Sequence, residues 1–357
     1  MENMVDKKFW QDKKVFITGH TGFKGGWMSV WLSHLNANVK GYSLNPNTKV
    51  NFFEVVGVNN ITDSEINDVR DHSALKKAIS DFSPDIVFHM AAQPLVRASY
   101  INPIETYQTN VMGTANVLDC CLNCESVNSV INITTDKCYE NDGRKTGYKE
   151  TDPMGGYDPY SSSKGCSELV TSSYYNSFYK KKGKGLCSVR AGNVIGGGDW
   201  SKDRLIPDIL STFSLKQNLL IRNKQATRPW QHVLEPLSGY LNLAQKLYND
   251  PGHFSGGYNF GPLEEDIKNV EWIVNKMSEY FPNSNWSIDE SDNPHEADFL
   301  KLDIEKADKM INWKPSWNIN MALKKIIEWH HAFNTNQNML DHTLKDIIQY
   351  ENDLLQK

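Results

Sequence analysis

The side chains of this sequence best suited to chemistry are Tyr160 and Lys164, in the string Tyr160-Ser161-Ser162-Ser163-Lys164. Four residues apart on a helix, a phenol and an ammonium share one face. A lysine charge beside a tyrosine lowers the phenol pKa from about 10, which makes a phenolate available as a base near neutral pH. Upstream, Thr134 and Thr135 close an apolar run, and a hydroxyl at a strand end can hold the substrate oxygen that Tyr160 deprotonates. A different chemistry is suggested by Gly19, Thr21, Gly22, Phe23, Lys24 and Gly25 in the string GHTGFKG. Such glycines permit a tight turn, let the backbone approach a pyrophosphate, and let a helix pack closely on a sheet. The helix N-terminus then offers unpaired N–H groups to the anion. The spacing is GxxGxxG rather than GxGxxG, so a plain glycine turn is the alternative. The position of the motif, directly after a strand near the N-terminus, favours a dinucleotide.

Those groups need a scaffold, and the pattern of the chain supplies one. Through the first half, short β-rich runs alternate with amphipathic stretches, as in βαβ units of a parallel sheet. Strands are expected at 14–18, 38–44, 61–67, 85–90, 129–134 and 185–190, with helices at 26–35, 73–80, 103–122 and 160–179. After Ala191, Gly, Pro, Trp and Asn become frequent, and helices are expected at 206–214, 234–247, 267–280 and 321–334. The expected fold class is α/β. A doubly wound, Rossmann-type parallel sheet at 1–190, joined by some later segments, carries a smaller mixed α/β lobe at 191–340. Residues 341–357 read as a polar helix, either a peripheral cap or an oligomer contact.

A ribose-binding carboxylate is usual about 20 residues beyond the glycine motif. That neighbourhood here is Ser43-Leu44-Asn45, without Asp or Glu and without an Arg to receive a 2′-phosphate. Ser43 or Asn45 then serves the ribose, which favours NAD over NADP. Asp68 and Val69 follow the third strand and either contact the adenine or belong to a surface loop.

Composition bounds the rest. A chain of 357 residues with 39% hydrophobic and 23% charged residues is globular. Its net charge of −5 argues against a nucleic-acid partner. No stretch approaches the roughly 18–20 apolar residues of a membrane span, and residues 1–11 lack the apolar core of a signal peptide. A cytoplasmic location is expected. Six cysteines do not make a disulfide scaffold. Cys120, Cys121 and Cys124 have no second Cys/His pair at ligand spacing, so they read as buried thiols and no metal site is expected. Lys180, Lys181, Lys182 and Lys184 read as a solvated loop before the sixth strand.

Together, the glycine motif, the strand-end threonines and the Tyr/Lys pair resemble the extended short-chain dehydrogenases over nearly the whole chain. The resemblance implies a nicotinamide-ribose shelf at His89-Met90-Ala91-Ala92-Gln93 and a helix-stabilising asparagine at Asn110. Within that family, the string after Thr135, Asp136-Lys137-Cys138-Tyr139, is similar to the NAD-dependent sugar-nucleotide 4,6-dehydratases, where Thr-Asp-Glu is typical. Lys137 in the glutamate position, RAGNVIGGGDW at 190–200, DRLIPD at 203–208 and RPWQHVLEP at 228–236 resemble the members acting on CDP-glucose.

The activity this implies is an internal redox cycle serving deoxysugar and surface-polysaccharide (O-antigen) precursor synthesis. Tyr160 takes the C4 hydroxyl proton as the hydride leaves for NAD, Asp136 protonates the departing C6 hydroxyl, and Lys137 is either the C5 base or a charged enolate stabiliser. In the second lobe, Arg204, Arg228 and His232 are implied as the diphosphate grip, because an arginine fork matches phosphate oxygens. Asn193 is implied as a sugar or phosphate contact, and His295 as either part of the diphosphate site or a surface-loop residue. A homodimer or homotetramer is expected. The alternatives are a sugar-nucleotide epimerase, against which Asp136 and Lys137 speak, and a dehydratase for another nucleotide sugar, where Lys137 itself speaks against the dTDP- and GDP-sugar enzymes. Tyr160 and Lys164 speak against a non-catalytic NAD(P)-sensing regulator.

Overall fold

The computed structural model describes residues 5–291 and 299–356. Seven strands form one parallel sheet: β1 (Lys14–Thr18), β2 (Asn38–Ser43), β3 (Asp63–Ile66), β4 (Ile86–His89), β5 (Ser129–Ile133), β6 (Gly185–Ala191) and β7 (Gly256–Phe260). Their order is β7-β6-β5-β4-β1-β2-β3. Strands β4, β5 and β6 are buried along their whole length, which explains why they read as continuous apolar runs rather than alternating ones. β7 comes from the second half of the chain and pairs with β6 from Gly256 opposite Cys187 to Phe260 opposite Ala191. Its short Gly-Gly-Tyr-Asn-Phe sequence carries little strand signal. The chain leaves β1 toward β2 on one side and returns to β4 on the other, and such a reversal opens a crevice beyond the strands' carboxyl ends.

The main helices are α1 (Phe23–His34), α2 (His72–Phe82), α3 (Gly113–Leu122), α4 (Pro159–Tyr174), α5 (Leu205–Ser214), α6 (Leu234–Asn249), α7 (Val270–Ser278), α8 (Ile319–Asn334) and α9 (Met339–Leu355). Helix α1 is buried continuously from Gly25 to Leu32, so it has no polar face and must be covered on all sides. Part of that cover is α9. The helix expected to be polar and peripheral instead buries Met339, Thr343, Ile347 and Tyr350. Tyr350 packs edge-on against Trp31, and Trp31 Nε1 donates to Glu351. Charges interleaved with it, the buried Asp346 among them, mask this i, i+4, i+8, i+11 stripe. The smaller lobe has its own core, in which Ile206, Ile209, Leu210 and Phe213 of α5 meet Ile273, Val274 and Met277 of α7.

Two local expectations are corrected. The stretch 103–122 is not one α-helix but a short helix Pro103–Tyr107, a π-helical turn Gln108–Met112, and α3. That wide turn brings the Asn110 side chain inward, where its amide nitrogen donates to Gln93 O and Ser163 Oγ and its oxygen accepts from Gln93 N. The lysine run is not all solvated. Lys184 is buried and its ammonium caps the Cys121 and Cys124 carbonyls beyond α3, while Lys182 Nζ donates to Leu122 O at 3.1 Å. Lysines neutralise the open carbonyls and negative dipole end of a helix, which is reason enough for the cluster. None of the described helices is long and apolar enough to cross a membrane.

Candidate active site

The crevice at the carboxyl ends of β1 and β4 is a cleft of about 1020 Å³ shared by both lobes. On its floor the chain turns from β1 into α1 through Gly19, whose φ of +80° is left-handed. A Cβ on Gly19 would stand 2.7 Å from Ala91 N, and one on Gly25 would stand 2.1 Å from Gly19 O. Glycine at both positions is therefore a steric demand of this turn. Gly22 precedes α1 and no side chain caps the helix, so its first N–H groups stay open to an anion. Thr18 Oγ1 accepts from Met90 N and Ala91 N, which fixes the 90–92 shelf against the end of β1. Thr21, Gly22, Phe23, Lys24, Asp68, Val69, Ala91 and Ala92 all line the cleft. Gln93 and Asn110 do not. They bond to each other behind the shelf and hold it in place.

At the ribose end Ser43 lines the cleft, its hydroxyl bonded to Thr21 Oγ1 at 2.8 Å. Asn45 is exposed on the cleft wall. Arg70 holds both Asp68 oxygens, at 2.9 Å through its backbone N–H and 2.6 Å through its guanidinium. Although burial opposes it, that pairing keeps the Asp68 carboxyl below its ordinary range.

Above this floor, β5 ends in the turn that carries Thr135, Asp136 and Lys137, and α4 brings Tyr160 and Lys164 against it. Asp158 caps α4 at Ser161 N, 2.9 Å away, with Pro159 in the first turn where a missing N–H is harmless. Tyr160 is buried, with its phenol close enough to Thr135 to feel that hydroxyl. Burial pushes the Tyr160 phenol up to about 12, with Thr135 and Arg204 pulling the other way. The expected lysine partner acts less directly. Lys164 Nζ donates to Ile133 O at 3.0 Å, and burial lowers Lys164 to about 8. The Thr134 hydroxyl is spent on Glu168, so Thr135 is the threonine that serves Tyr160.

Asp136 is 2% exposed. Its Oδ1 accepts from Thr135 Oγ1 at 3.0 Å, while its Oδ2 is buried without a hydrogen-bond partner. Burial holds this carboxyl above its usual range against the pull of Lys137, Thr135, Arg228 and Lys24. A buried carboxyl with one unpaired oxygen favours its protonated form. Lys137 lines the cleft beside it.

The second lobe contributes Asn193, Arg204 and Arg228. Arg204 precedes α5, and Asp199 holds its Nη1 at 3.0 Å. Arg228 is buried and lies close enough to Asp136 to act on its charge. His232 is corrected: it is sandwiched between Trp27 and Trp317, at ring distances of 5.9 and 5.0 Å, and is absent from the cleft lining. Burial lowers it to about 3, so it is a neutral packing group. His295 lies outside the described residues.

Several charged groups on the walls escape sequence reasoning. Lys24 looks like an ordinary member of the glycine motif. In the structure it is a cleft lysine brought down to about 7 by burial and by Arg204 and Lys164, against Asp136. Arg97 pairs with Asp203 at 3.4 Å, and both line the cleft with Arg222 and Asp208. Only folding brings these positions together; the composition of DRLIPD hints at its own charges alone. Away from the cleft, the described residues hold one cluster of potential metal donors, His72, Asp119 and Cys120, in which His72 is bonded to Asp119 at 2.8 Å.

The model of the family described as GDP-mannose 4,6 dehydratase matches residues 16–326. A protein of Salmonella typhimurium named CDP-glucose 4,6-dehydratase is 53% identical over 353 residues, covering 97% of this chain and 98% of its own. A probable dTDP-glucose 4,6-dehydratase of Sinorhizobium fredii is 24% identical and covers 89% of this chain and 92% of its own. Among solved structures, an epimerase of Methanothermobacter thermautotrophicus superposes with a TM-score of 0.79 at 20% identity, covering 96% of this chain and 98% of its own. The NAD complex of a Bacillus anthracis dTDP-glucose 4,6-dehydratase superposes with a TM-score of 0.75 at 18% identity, covering 92% and 99%. By family match and by near full-length identity, this chain belongs to the GDP-mannose 4,6 dehydratase family.

Proposed function

We propose that this protein is an NAD-dependent CDP-glucose 4,6-dehydratase, converting CDP-glucose to CDP-4-dehydro-6-deoxyglucose and water. The observation that carries the reading is Asp136, a buried carboxyl bonded to Thr135 on one oxygen and open on the other, in the same turn as Lys137. An enzyme that only oxidises or epimerises needs Thr135, Tyr160 and Lys164. Adding an acid and a second amine suits loss of water. The 53% identity to the Salmonella protein supports CDP-glucose as the substrate.

The glycine cradle and the uncapped α1 fit the pyrophosphate of NAD, so Gly19 to Gly25, Asp68, Val69, Ala91 and Ala92 would hold it. We assign 1–190, with β7, to the cofactor and the rest of the second lobe to the sugar nucleotide. Bound NAD supplies a hydride acceptor at C4 of the sugar and a hydride donor at C6. Thr135 orients the C4 hydroxyl and Tyr160 removes its proton as the C4–H bond breaks. The resulting ketone acidifies C5–H. Lys137 takes that proton, Asp136 gives its own proton to the C6 hydroxyl, which departs as water, and Lys137 returns a proton to C5 when C6 receives the hydride. Such general-acid help contributes about 10²–10⁴-fold. Arg204 and Arg228 fit the diphosphate, because a guanidinium fork stays charged and matches phosphate oxygens.

The test is direct. Purified protein with NAD and CDP-glucose should yield a 4-ketosugar with the absorbance such ketones show in alkali. No product from CDP-glucose, with product from a dTDP- or GDP-sugar, would overturn the substrate assignment.

We also assign a second copy of the chain to the face carrying Ile101, Ile104, Met112 and Leu169, which are 77%, 69%, 56% and 61% exposed. Exposed apolar side chains on helices that pack together suit a symmetric interface. Light scattering should give a dimer or larger, and Leu169→Glu should shift it toward monomer.

A further inference from the structure

Beneath the cleft lies a buried ion pair that the mechanism above does not use. Glu168 and Arg190 are 5% and 4% exposed. Four donors saturate the Glu168 carboxylate. Oε1 accepts from Thr134 Oγ1 and from Arg190 Nε at 2.9 Å; Oε2 accepts from Ser188 Oγ at 2.6 Å and Arg190 Nη2 at 2.8 Å. Arg190 in turn donates through Nη1 to Tyr139 Oη at 2.5 Å. Tyr139 passes the chain on, donating to Asn259 Oδ1 on β7 at 2.7 Å, and its ring stacks on Tyr148 at 5.2 Å.

The placement of these contacts along the sequence is informative. Thr134 opens the reactive turn and Tyr139 closes it. Between them stand Thr135, Asp136 and Lys137, none of which the ion pair touches. Glu168 also sits one helical turn beyond Lys164, which sits one turn beyond Tyr160, so one helix face carries all three. We propose that the Glu168–Arg190 pair is a positioning device for the reaction. By clamping both ends of the 134–139 turn to the Tyr160–Lys164 helix face, it sets the distance between the oxidising and the dehydrating groups.

Buried charge pairs are seldom a net gain in stability over apolar residues of the same shape, so a positioning role is the better account of this one. A clamp matters because a misplacement of about 1 Å can cost about 10²-fold in rate. The pair also acts electrostatically. The Glu168 charge raises Lys164 against the downward pull of burial, so its loss should let Lys164 lose its proton at lower pH.

The inference rests on the dehydratase reading, and the experiment separates the two. Wild type, Glu168→Gln and Tyr139→Phe are each compared for kcat, KM for CDP-glucose, NAD affinity and the pH profile of kcat. Glu168→Gln should lower kcat by about tenfold or more while KM and NAD affinity stay within about twofold. Its alkaline limb should move to lower pH. Tyr139→Phe, which removes one hydroxyl and no charge, should lower kcat by a smaller factor and leave the alkaline limb in place. A folded Glu168→Gln enzyme with wild-type kcat, or with an unmoved alkaline limb, overturns the proposal. If that variant does not fold, Tyr139→Phe decides, and unchanged kcat there overturns it. Failure of the dehydratase reading would show instead in the wild type, as absence of the 4-keto product.

Discussion

Two buried carboxyl groups, Asp136 in the turn that closes β5 and Glu168 on the helix against it, have opposite surroundings. Glu168 has every oxygen lone-pair direction met by a donor, and Arg190 holds it below its ordinary range although burial pulls it upward. Asp136 has one oxygen without a partner, and burial holds it above its ordinary range. Similar burial thus yields a fixed charge in one place and a proton reserve in the other. The deciding factor is the number of donors each was folded against. A carboxylate fully bonded by its neighbours positions other groups; one left incomplete can exchange its proton with a substrate.

Substitution should separate these roles, and the largest effect is on catalysis. Asp136→Asn should lower the elimination rate by about 10²–10⁴-fold, with no loss in thermal stability, because the variant removes an ionisable group from a dry site. Single-turnover measurement of water loss, beside a melting curve, checks both halves. A variant that melts well below wild type would mean that Asp136 is structural.

Glu168→Leu should do the reverse on stability. It strands the Arg190 charge and should cost about 3–5 kcal/mol in denaturant unfolding. A cost below about 1 kcal/mol would mean that the pair is solvated like a surface bridge.

The pH dependence of stability should split the two residues by sign. Asp136, with its folded pKa raised, stabilises most below an aspartate's ordinary 3.8 and loses that contribution as pH rises through its folded value. The stability of Asp136→Asn relative to wild type should therefore grow as pH rises from the ordinary aspartate value of 3.8. Glu168, with its folded pKa lowered, contributes above a glutamate's ordinary 4.5 and loses this as pH falls through the folded value. The deficit of Glu168→Gln should shrink on acidification. Parallel melting curves across pH would erase the contrast.

The smallest effect is expected at the cleft wall. Arg97 and Asp203 form a half-exposed pair, which is worth about 0–1 kcal/mol. Asp203→Asn should change KM for CDP-glucose by no more than about fivefold and leave kcat unaltered. A change in kcat instead would place the pair in the reaction.

Much of this was legible in the sequence because the relevant contacts are local. The pair Tyr160 and Lys164 shares a helix face, Asp136 and Lys137 are adjacent, and the glycine motif folds within one turn. Strands β1, β4, β5 and β6 announced themselves as short runs because they lie buried within the sheet. What was not legible depends on distant segments. β7 is short and glycine-rich, so only its pairing with β6 makes it a strand. The inward face of α9 is hidden among charges. His232 sits in a string rich in binding residues, yet two tryptophans from either end of the chain, Trp27 and Trp317, enclose it. Lys24 carries its present charge state through neighbours far along the chain, Arg204, Lys164 and Asp136, and Glu168 through Arg190, Ser188 and Thr134 on other elements. No periodicity reports that.

The central claim is that one cleft removes hydrogen from C4, eliminates water across C5 and C6, and returns the same hydrogen to C6. It is tested most directly with CDP-glucose carrying deuterium at C4, followed by proton NMR and mass spectrometry of the product. The account predicts that the deuterium is found in the C6 methyl group of the 4-ketosugar, with no net reduction of added NAD. A product without deuterium at C6, or reduced nicotinamide accumulating in step with a ketone that retains its C6 hydroxyl, would contradict it.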